Sequence, residues 1–440
     1  MFSVARSSAA FALSVLFCAG AVSESPLPGP VAADVHESYR LLTSSYYDAV
    51  DPQALLAAAS DALVEAAKKH GAAIDPPLIH AQSPDTMAEL DAAIASSAEE
   101  AHAAPTEFAY VAIDAMAHAV GDRYTQFFTP DEFRAFNDAL DPEKISGIGV
   151  MIVADEPSSS VRLSYVVPGT PADRAGLHVG DVLVSIDGSP TKGMAVENAS
   201  RLLRGKAGTL VALAVQRAGT PQSLAFSIKR EEVQPPTVVF RMLPNNIGYV
   251  YVMAFGKGTP SEFDTAIGRL KENGARALVL DLRNDGGGYV DSALTISSRF
   301  IANKPLVTVE ERGRRATTID ADNQASIDLP VTVLVNGYTA SASEITAGAL
   351  QDDGIAELIG TKTYGKGVMQ TLTPLPDGAA IKITTAHYLT PRHRDINLRG
   401  IDPDVLVNEP RDARPGDSER DAQLHAALLL LQRKIAAAKP

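Results

Sequence analysis

From residue 247 onward, apolar runs of strand length alternate with amphipathic runs of helix length, and this alternation limits the fold more than any other feature. The strands are predicted at Ile247–Ala254, Ala277–Leu282 and Val331–Val335, and the helices at Ser261–Glu272, Val290–Ile301 and Ala342–Gln351. This order favours parallel neighbours in one sheet, because each helix returns the chain to the edge where the previous strand began. Residues 233–410 are therefore predicted to form an α/β core. The segment 411–440 then carries one amphipathic helix over Glu419–Lys439.

Two regions with different patterns precede this core. Residues 22–140 are alanine-rich, and the helices predicted there are Val35–Tyr47, Pro52–Lys69, Ser83–Ala101 and Thr106–Val120, with a break at Pro76-Pro77. Residues 141–232 predict a small β-rich domain with short helices at Pro171–Ala175 and Met194–Leu203. Its predicted strands are Gly149–Val153, Val161–Val166, Val182–Ile186, Leu210–Gln216 and Ser223–Ile228. A chain of 440 residues has the length for two or three such domains.

The segment 1–21 has the features of a signal peptide. Arg6 supplies a positive charge, the run Ala9–Ala21 is nearly all apolar, and its last three residues are small enough for a cleavage site. We expect an exported protein, periplasmic or otherwise extracytoplasmic. The alternative is a retained N-terminal anchor that associates the protein with a membrane, although the run is short for a span. Cys18 is the only cysteine, so a chain cleaved after residue 21 would have no cysteine. Disulfides and catalysis by cysteine would then both be excluded.

Charge and motif content exclude several other classes of protein. The net charge of −14 argues against nucleic acid as a partner. The nine histidines are scattered, and the sequence has no Gly-x-Ser-x-Gly elbow and no His-Glu-x-x-His pair. Catalysis by histidine and a zinc site therefore have little support, and we predict neither a metal nor a cofactor.

A turn rich in hydroxyl groups, Asn336–Glu344, directly follows the apolar strand Val331–Val335. A serine at a strand-to-helix turn lies on a tight backbone, and the N–H groups of the following helix favour developing negative charge. Ser341 is therefore a candidate nucleophile. Its spacing to Glu344 is also that of a capping box, and the local sequence by itself favours this purely structural role.

A lysine between two glycines, Lys366, is a candidate general base. Lysine accepts a proton only when burial or neighbouring charges lower its pKa, and flanking glycines let the backbone approach another segment closely. Gln370, four residues on, could accept a hydrogen bond from the ammonium without adding charge. The alternative is an exposed lysine in a turn, which composition alone favours.

The segment Asp281–Gly288 ends in three glycines at the end of a predicted strand. Such a turn exposes backbone N–H groups that could bind an oxyanion. A phosphate-binding loop would need a spaced lysine and hydroxyl that this segment lacks. The alternative interpretation, a flexible turn that binds no ligand, is left open.

Together these motifs resemble those of the carboxy-terminal processing peptidases, or tail-specific proteases, over about Val35–Leu406. In that family a Ser-Ala-Ser-Glu turn carries the nucleophile, a Gly-Lys-Gly loop carries the base, and a glutamine follows four residues later. The matching residues here are Ser341, Lys366 and Gln370. The resemblance implies an α/β core of the crotonase or ClpP-like type.

The resemblance also implies roles for residues around these motifs. It implies that the N–H groups of Ala342 and Gly287 bind the oxyanion. It favours Ser341 over the rival hydroxyl of Ser343, and it gives Asp352 a supporting role. Gly286 stands where the family commonly has a proline.

Further similarity lies upstream of the core. Asp122–Phe128 resembles the family's Asp-Pro-His/Tyr-Ser/Thr segment, with Arg123 in place of a frequent proline. The loop Ser146–Val150 resembles the loop with which PDZ domains bind a peptide carboxylate. The resemblance thus implies an inserted PDZ domain over 141–232, with carboxylate binding by Gly147, Ile148, Gly149 and Val150. Residues 68–105 resemble an insertion into the usual helical N-terminal region.

The predicted function is that of a secreted serine endopeptidase cleaving extended or C-terminally presented polypeptides. The PDZ domain is expected to recognise the substrate C-terminus or to gate the site. Polypeptides with free C-termini are the predicted partners, a homo-oligomer is expected, and an adaptor or regulatory protein is left open. Two alternatives are a catalytically silent PDZ scaffold and a non-proteolytic enzyme on a crotonase-like core. The joint presence of Ser341, Lys366 and Gln370 argues against the first, and no acyl-CoA or small-ligand motif supports the second.

Overall fold

The structure is a computed structural model that describes residues 25–140, 144–155, 158–322, 325–408 and 421–437. The signal peptide predicted for 1–21 lies outside the described residues. The chain divides into two compact units. One holds residues up to Leu42, Val50–Gly121 and Leu375–Asp377, and the other holds Thr43–Ala49, Asp122–Pro374 and the rest of the chain from Gly378.

The first unit consists mainly of α-helices. They are α1 (Gly29–Ser45), α2 (Pro52–Lys69), α3 (Thr86–Glu100) and α4 (Pro105–Ala119). Asp51 caps α2, since its Oδ1 accepts the Gln53 N–H at 3.0 Å. The alanines let the helices approach closely around a core of larger residues at helical spacing: Leu55, Leu56, Leu63, Leu90, Ile94, Phe108, Ile113 and Met116. The four predicted helices are confirmed, with ends within a few residues except that α1 begins six residues early.

From Asp122 onward, the second unit starts with a short strand, β1 (Gln126–Phe128), and a helix, α5 (Pro130–Leu140). A small β domain follows with strands β2 (Ile145–Gly147), β3 (Val150–Asp155), β4 (Ser160–Val166), β5 (Val182–Ile186), β6 (Ser189–Pro190), β7 (Leu210–Gln216), β8 (Leu224–Lys229) and β9 (Glu231–Val233). Its helices are α6 (Pro171–Arg174) and α7 (Val196–Leu203). The main sheet has the order β3-β4-β5-β7-β8, and β2 pairs with β9.

The core contains a six-stranded sheet of strands that alternate with helices. The elements are β10 (Val238–Leu243), a 3₁₀ turn (Pro244–Asn246), β11 (Ile247–Val252), α8 (Thr259–Glu272), β12 (Ala277–Asp281), α9 (Val290–Ser298), β13 (Pro305–Glu311), β14 (Thr317–Asp320), β15 (Val331–Val335), α10 (Ala342–Asp352), β16 (Ala356–Gly360), β17 (Val368–Pro374), β18 (Ala380–Leu389), β19 (Val405–Leu406) and α11 (Ala422–Ala437). The sheet order is β10-β11-β12-β15-β16-β19, parallel from β11 to β19. The predicted parallel arrangement is confirmed.

The strands β11, β12 and β15 of this sheet are buried on both faces. On β12, Leu278 and Leu280 belong to the apolar cluster that includes residues of α8, α9 and α10, whereas Ala277 and Val279 belong to the cluster formed with α11. Burial on both faces explains why these strands are continuous apolar runs without polar alternation.

A buried charge cluster fastens α11 to the end of β12. Arg283, which is 1% exposed, donates from Nη2 to Asp281 at 2.6 Å and to Asp421 at 2.7 Å. The Tyr249 hydroxyl donates to Asp281 at 2.7 Å. The cluster fixes the position where the segment Asp281–Gly288, called the glycine segment below, leaves the sheet.

The sequence analysis did not predict the second sheet of the core. This sheet pairs β1, β18, β13 and β14 in that order, with β17 added to β18, and all its pairs are antiparallel. The region 22–140, predicted as helical, thus ends in a strand and helix of the second unit, because Gln126–Phe128 pairs with Ala380–Lys382. Within the described part of the chain, no helix is both long and apolar enough to cross a membrane.

Candidate active site

Ser341 lies in a sharp turn between β15 and α10. Its backbone has φ 59° and ψ −119°, a conformation that L-residues rarely adopt. Asn336 stabilises the turn, since its side-chain oxygen accepts the N–H groups of Tyr338 and Asn284, both at 3.1 Å. The Thr339 hydroxyl donates to the Leu282 carbonyl at 2.8 Å. These bonds attach the serine turn to the glycine segment at the end of the neighbouring strand.

The buried carboxylate of Glu344 brings the serine turn and the lysine loop together. Oε2 accepts the Ser341 N–H at 3.0 Å and the Lys366 N–H at 2.8 Å, and Oε1 accepts the Gly365 N–H at 2.8 Å. The bond to Ser341 is the glutamate's half of a capping box, as the spacing predicted. The cap is therefore real, but Glu344 also joins two distant segments of the chain.

Tyr388, a fully buried residue of β18, provides a second link between the same segments. Its hydroxyl donates to the Lys366 carbonyl at 2.5 Å and lies 3.2 Å from the Ser341 carbonyl oxygen. Sequence reasoning missed the linking role of Glu344, because its partners Gly365 and Lys366 are distant in sequence. It also missed Tyr388, because the role of this residue is visible only when β18 is placed beside the lysine loop.

Lys366 is largely buried. Burial, and second the charge of Lys382, lower its pKa to about 8, against the opposite effect of the Asp122 and Glu344 carboxylates. Its Nζ lies 5.0 Å from the centroid of the Tyr124 ring, within cation–π range. Within the described ranges, no hydrogen bond joins this Nζ to the Ser341 hydroxyl. The backbones of Ser341 and Lys366 therefore lie close together, while the Lys366 ammonium packs over the Tyr124 ring.

Lys382, on β18, lies close to two aromatic rings. Its Nζ lies 5.0 Å from the Phe128 ring centroid and 5.2 Å from that of Phe136. Burial lowers its own pKa. Gln370 is on β17, where its Nε2 donates to the Thr384 hydroxyl at 3.3 Å, so it is not bonded to Lys366 in this arrangement.

The glycine segment packs directly on Ser341. A Cβ atom on Gly287, whose φ is +96°, would lie 2.8 Å from the Ala342 nitrogen and 2.9 Å from the Ser341 Cβ, so only glycine fits. The Gly287 N–H donates to Asp285 Oδ1 at 2.8 Å. The N–H of Ala342 has no acceptor among the residues described. Of the two proposed oxyanion donors, the Ala342 N–H is therefore available to a substrate, whereas the Gly287 N–H is hydrogen-bonded to Asp285.

Two further residues from the sequence analysis have structural partners. The buried Ser343 hydroxyl donates to the Asp285 carbonyl at 3.1 Å, which leaves Ser341 as the hydroxyl at the turn. Asp352, at the far end of α10, accepts the Arg392 N–H at 2.9 Å and pairs with Arg394. Among the described residues, no group of three His, Cys, Asp or Glu side chains is arranged to hold a metal ion.

The small β domain has a groove between β3 and α7 with a volume of 380 Å³. Its lining includes Gly147, Ile148, Gly149 and Val150 at one end, and Val196, Ser200 and Leu203 of α7. The N–H groups of Ile148 and Gly149 find no acceptor in the part of the chain that the structure describes. The groove thus offers an apolar wall and open amide donors, which suits an extended peptide with a terminal carboxylate.

The chain is similar to several known proteins. The family model described as "Peptidase family S41" matches residues 246–407, and the one described as "PDZ domain" matches 162–217. The chain is 36% identical to a carboxyl-terminal-processing protease of Picosynechococcus sp. over 335 residues, 75% of this chain and 81% of that one. It is 34% identical to one of Synechocystis sp. over 337 residues, 76% and 79% of the two chains. The solved photosystem II D1 C-terminal processing protease is 26% identical, with a TM-score of 0.48 over 89% of this chain and 96% of that one.

Proposed function

The chain belongs to the carboxyl-terminal-processing proteases of peptidase family S41, which makes it a serine endopeptidase, and we propose that Ser341 is the nucleophile and Lys366 the general base. The observation that carries this proposal is the Glu344 carboxylate, which binds the backbone N–H groups of both residues and holds them side by side. A buried lysine with a lowered pKa, next to a serine in a strained turn, is the arrangement that a Ser–Lys dyad needs.

In the proposed mechanism, the neutral amine of Lys366 moves off the Tyr124 ring and accepts the proton of the Ser341 hydroxyl. The Ser341 Oγ attacks a peptide carbonyl, and the resulting oxyanion is bound by the Ala342 N–H and by the Gly287 N–H once that amide leaves Asp285. Collapse of the intermediate expels the amine, which takes the proton from Lys366. Water then hydrolyses the acyl-enzyme by the same base. Gln370 is proposed to orient the lysine from the adjacent strand.

A PDZ domain in this family implies binding of a peptide C-terminus. We propose that the carboxylate binds at Gly147, Ile148, Gly149 and Val150, and that the peptide lies along β3 in the groove. The open N–H groups of Ile148 and Gly149 support this placement. Gating of the active site by peptide binding is a further part of the proposal.

The cellular setting is proposed from the sequence. The apolar segment 1–21 supports export and an extracytoplasmic location. A homo-oligomer, an adaptor protein and a crotonase or ClpP-like relationship of the core are extensions of the family resemblance.

Hydrolysis of an unfolded polypeptide with a free C-terminus tests the nucleophile. Ser341→Ala should lose at least about 10³-fold in kcat, because the bond-forming atom is gone. Ser343→Ala is the matched control: it removes a hydroxyl two residues away that donates to the Asp285 carbonyl, and it should keep most of the activity. Activity retained by Ser341→Ala, or lost only in Ser343→Ala, would contradict the assignment.

A further inference from the structure

Asp285 is a buried carboxyl group in the glycine segment. It is 0% exposed, and its Oδ1 accepts the Gly287 N–H at 2.8 Å. Its Oδ2 has no hydrogen-bond partner within the described residues. A carboxylate with one free buried oxygen is poorly stabilised, because desolvation is offset by a single N–H donor.

The backbone of Asp285 fixes this carboxyl group beside the serine turn. Its carbonyl oxygen accepts the Ala340 N–H at 3.0 Å and the Ser343 hydroxyl at 3.1 Å. The Asp285 carboxyl group binds the Gly287 N–H, and Gly287 lies against Ser341 and Ala342. The carboxyl group therefore acts on the same amide that the proposed mechanism needs for the oxyanion.

We infer that Asp285 is a positioning residue that restrains the oxyanion site: its carboxylate holds the Gly287 N–H, and its charge opposes that of the oxyanion. The inference rests on the proposed function of Ser341. In the protonated form, Asp285 carries no charge and binds the Gly287 N–H more weakly, so the amide is free to bind the substrate oxygen.

The surroundings of Asp285 favour its neutral form. Burial raises its pKa to about 7, although two groups act in the opposite direction: the Gly287 N–H, which donates to the carboxyl group, and the nearby Ser343 hydroxyl, which donates to the backbone carbonyl instead. From β11 it is faced by Tyr251, whose own pKa is raised mainly by burial and also by nearby carboxylates that include Asp285. Arg283, two residues earlier, binds Asp281 and Asp421 instead. The ionisation of Asp285 therefore falls in the pH range in which Lys366 loses its proton.

The variant Asp285→Asn tests the inference, because it keeps the size and an acceptor for the Gly287 N–H but removes the charge. The ratio of kcat/KM for Asp285→Asn to that for the native chain should be near one at about pH 6 and rise to about tenfold at about pH 9, with the change in kcat rather than KM. The ratio cancels the pH dependence of Lys366, which both proteins share. The control Asp328→Asn removes an equal charge at an exposed position, 91% exposed and near Lys271, and should give a flat ratio near one.

The outcomes separate this inference from the proposed function. A flat ratio, or a ratio below one at high pH, overturns the role of Asp285 while leaving Ser341-dependent hydrolysis in place. Absence of any Ser341-dependent hydrolysis overturns both. A second measurement needs no variant: in a glycine-labelled chain, the amide resonance of Gly287 should titrate with a midpoint near about pH 7. A Gly287 resonance that is constant between about pH 5 and 9 overturns the proposed restraint.

Discussion

At the scale of single residues, the chemistry of Lys366 depends on the groups around it rather than on its own side chain. Its ammonium is buried, rests on the Tyr124 ring, and lies in the field of a second lysine, Lys382. Burial and like charge both disfavour the protonated form, whereas a free lysine with pKa about 10.4 would hold its proton at neutral pH. Activity should therefore rise with pH through about 8, the pKa of Lys366.

Replacement of Lys382 by methionine should shift this rise to higher pH. Removing the positive charge relieves the repulsion on Lys366, so the pKa of Lys366 increases, by about half a unit for a partly screened charge. Methionine keeps the apolar stem that packs near Phe128 and Phe136. The measurement is kcat/KM against pH, with Lys382→Arg as the control that retains the charge and the native profile. Superimposable profiles for Lys382→Met and the native chain would show that Lys382 does not tune the base.

The position of a single residue was predictable where the local sequence determines it. The turn that carries Ser341 was predicted because the strand before it and the helix after it are contiguous in sequence, whereas the catalytic roles of Ser341 and Lys366 stay predictions. Glu344 was noticed only as a cap, since its bonds to Gly365 and Lys366 span about twenty residues of sequence. The engagement of the Gly287 N–H by Asp285 depends on how the turn closes, which composition does not determine.

At the scale of elements, the alternation of apolar and amphipathic runs predicted the parallel sheet because both faces of its strands are covered. The antiparallel sheet was missed for a different reason. The strand β18 alternates buried and half-exposed residues over most of its length. It pairs with β17, which directly precedes it, as a hairpin, but its partners β1 and β13 come from separate parts of the chain. Pairing over such distances in sequence is set by tertiary packing, not by local pattern.

The groove of the small β domain leads to a prediction about peptide binding. A peptide with a free C-terminal carboxylate should bind at least about tenfold more tightly than its amidated twin, because the open N–H groups of Ile148 and Gly149 gain a charged acceptor. Calorimetry on the full chain carrying Ser341→Ala avoids cleavage of the peptide. Equal affinities would remove the carboxylate-binding role of this loop.

Gly149 is the position in that loop where geometry requires glycine. Its φ is +84°, and a Cβ atom would lie 2.3 Å from the Thr170 Cβ. The close approach places the loop against the residues that precede α6. The loop's amide groups are therefore held in place before any peptide binds.

At the scale of the whole molecule, one compact unit contains both the peptidase core and the PDZ domain, and the other unit is mainly helical. The order of these regions along the chain follows from the change of sequence pattern at about residues 140 and 232. The export segment is read from the sequence alone and stays a prediction. In the proposed function, both domains act on one polypeptide, which the PDZ domain binds by its C-terminus and the core cleaves.

Hydrolysis by the full chain carrying Lys366→Arg, measured across pH, tests whether Lys366 accepts the proton of Ser341. Arginine keeps the positive charge but holds its proton at every accessible pH, since its pKa is above about 12. We expect Lys366→Arg to be as inactive as Lys366→Ala from about pH 6 to 10, while the native chain gains activity through about pH 8. Substantial hydrolysis by Lys366→Arg at neutral pH would show that Lys366 is not the base and that another group accepts the proton.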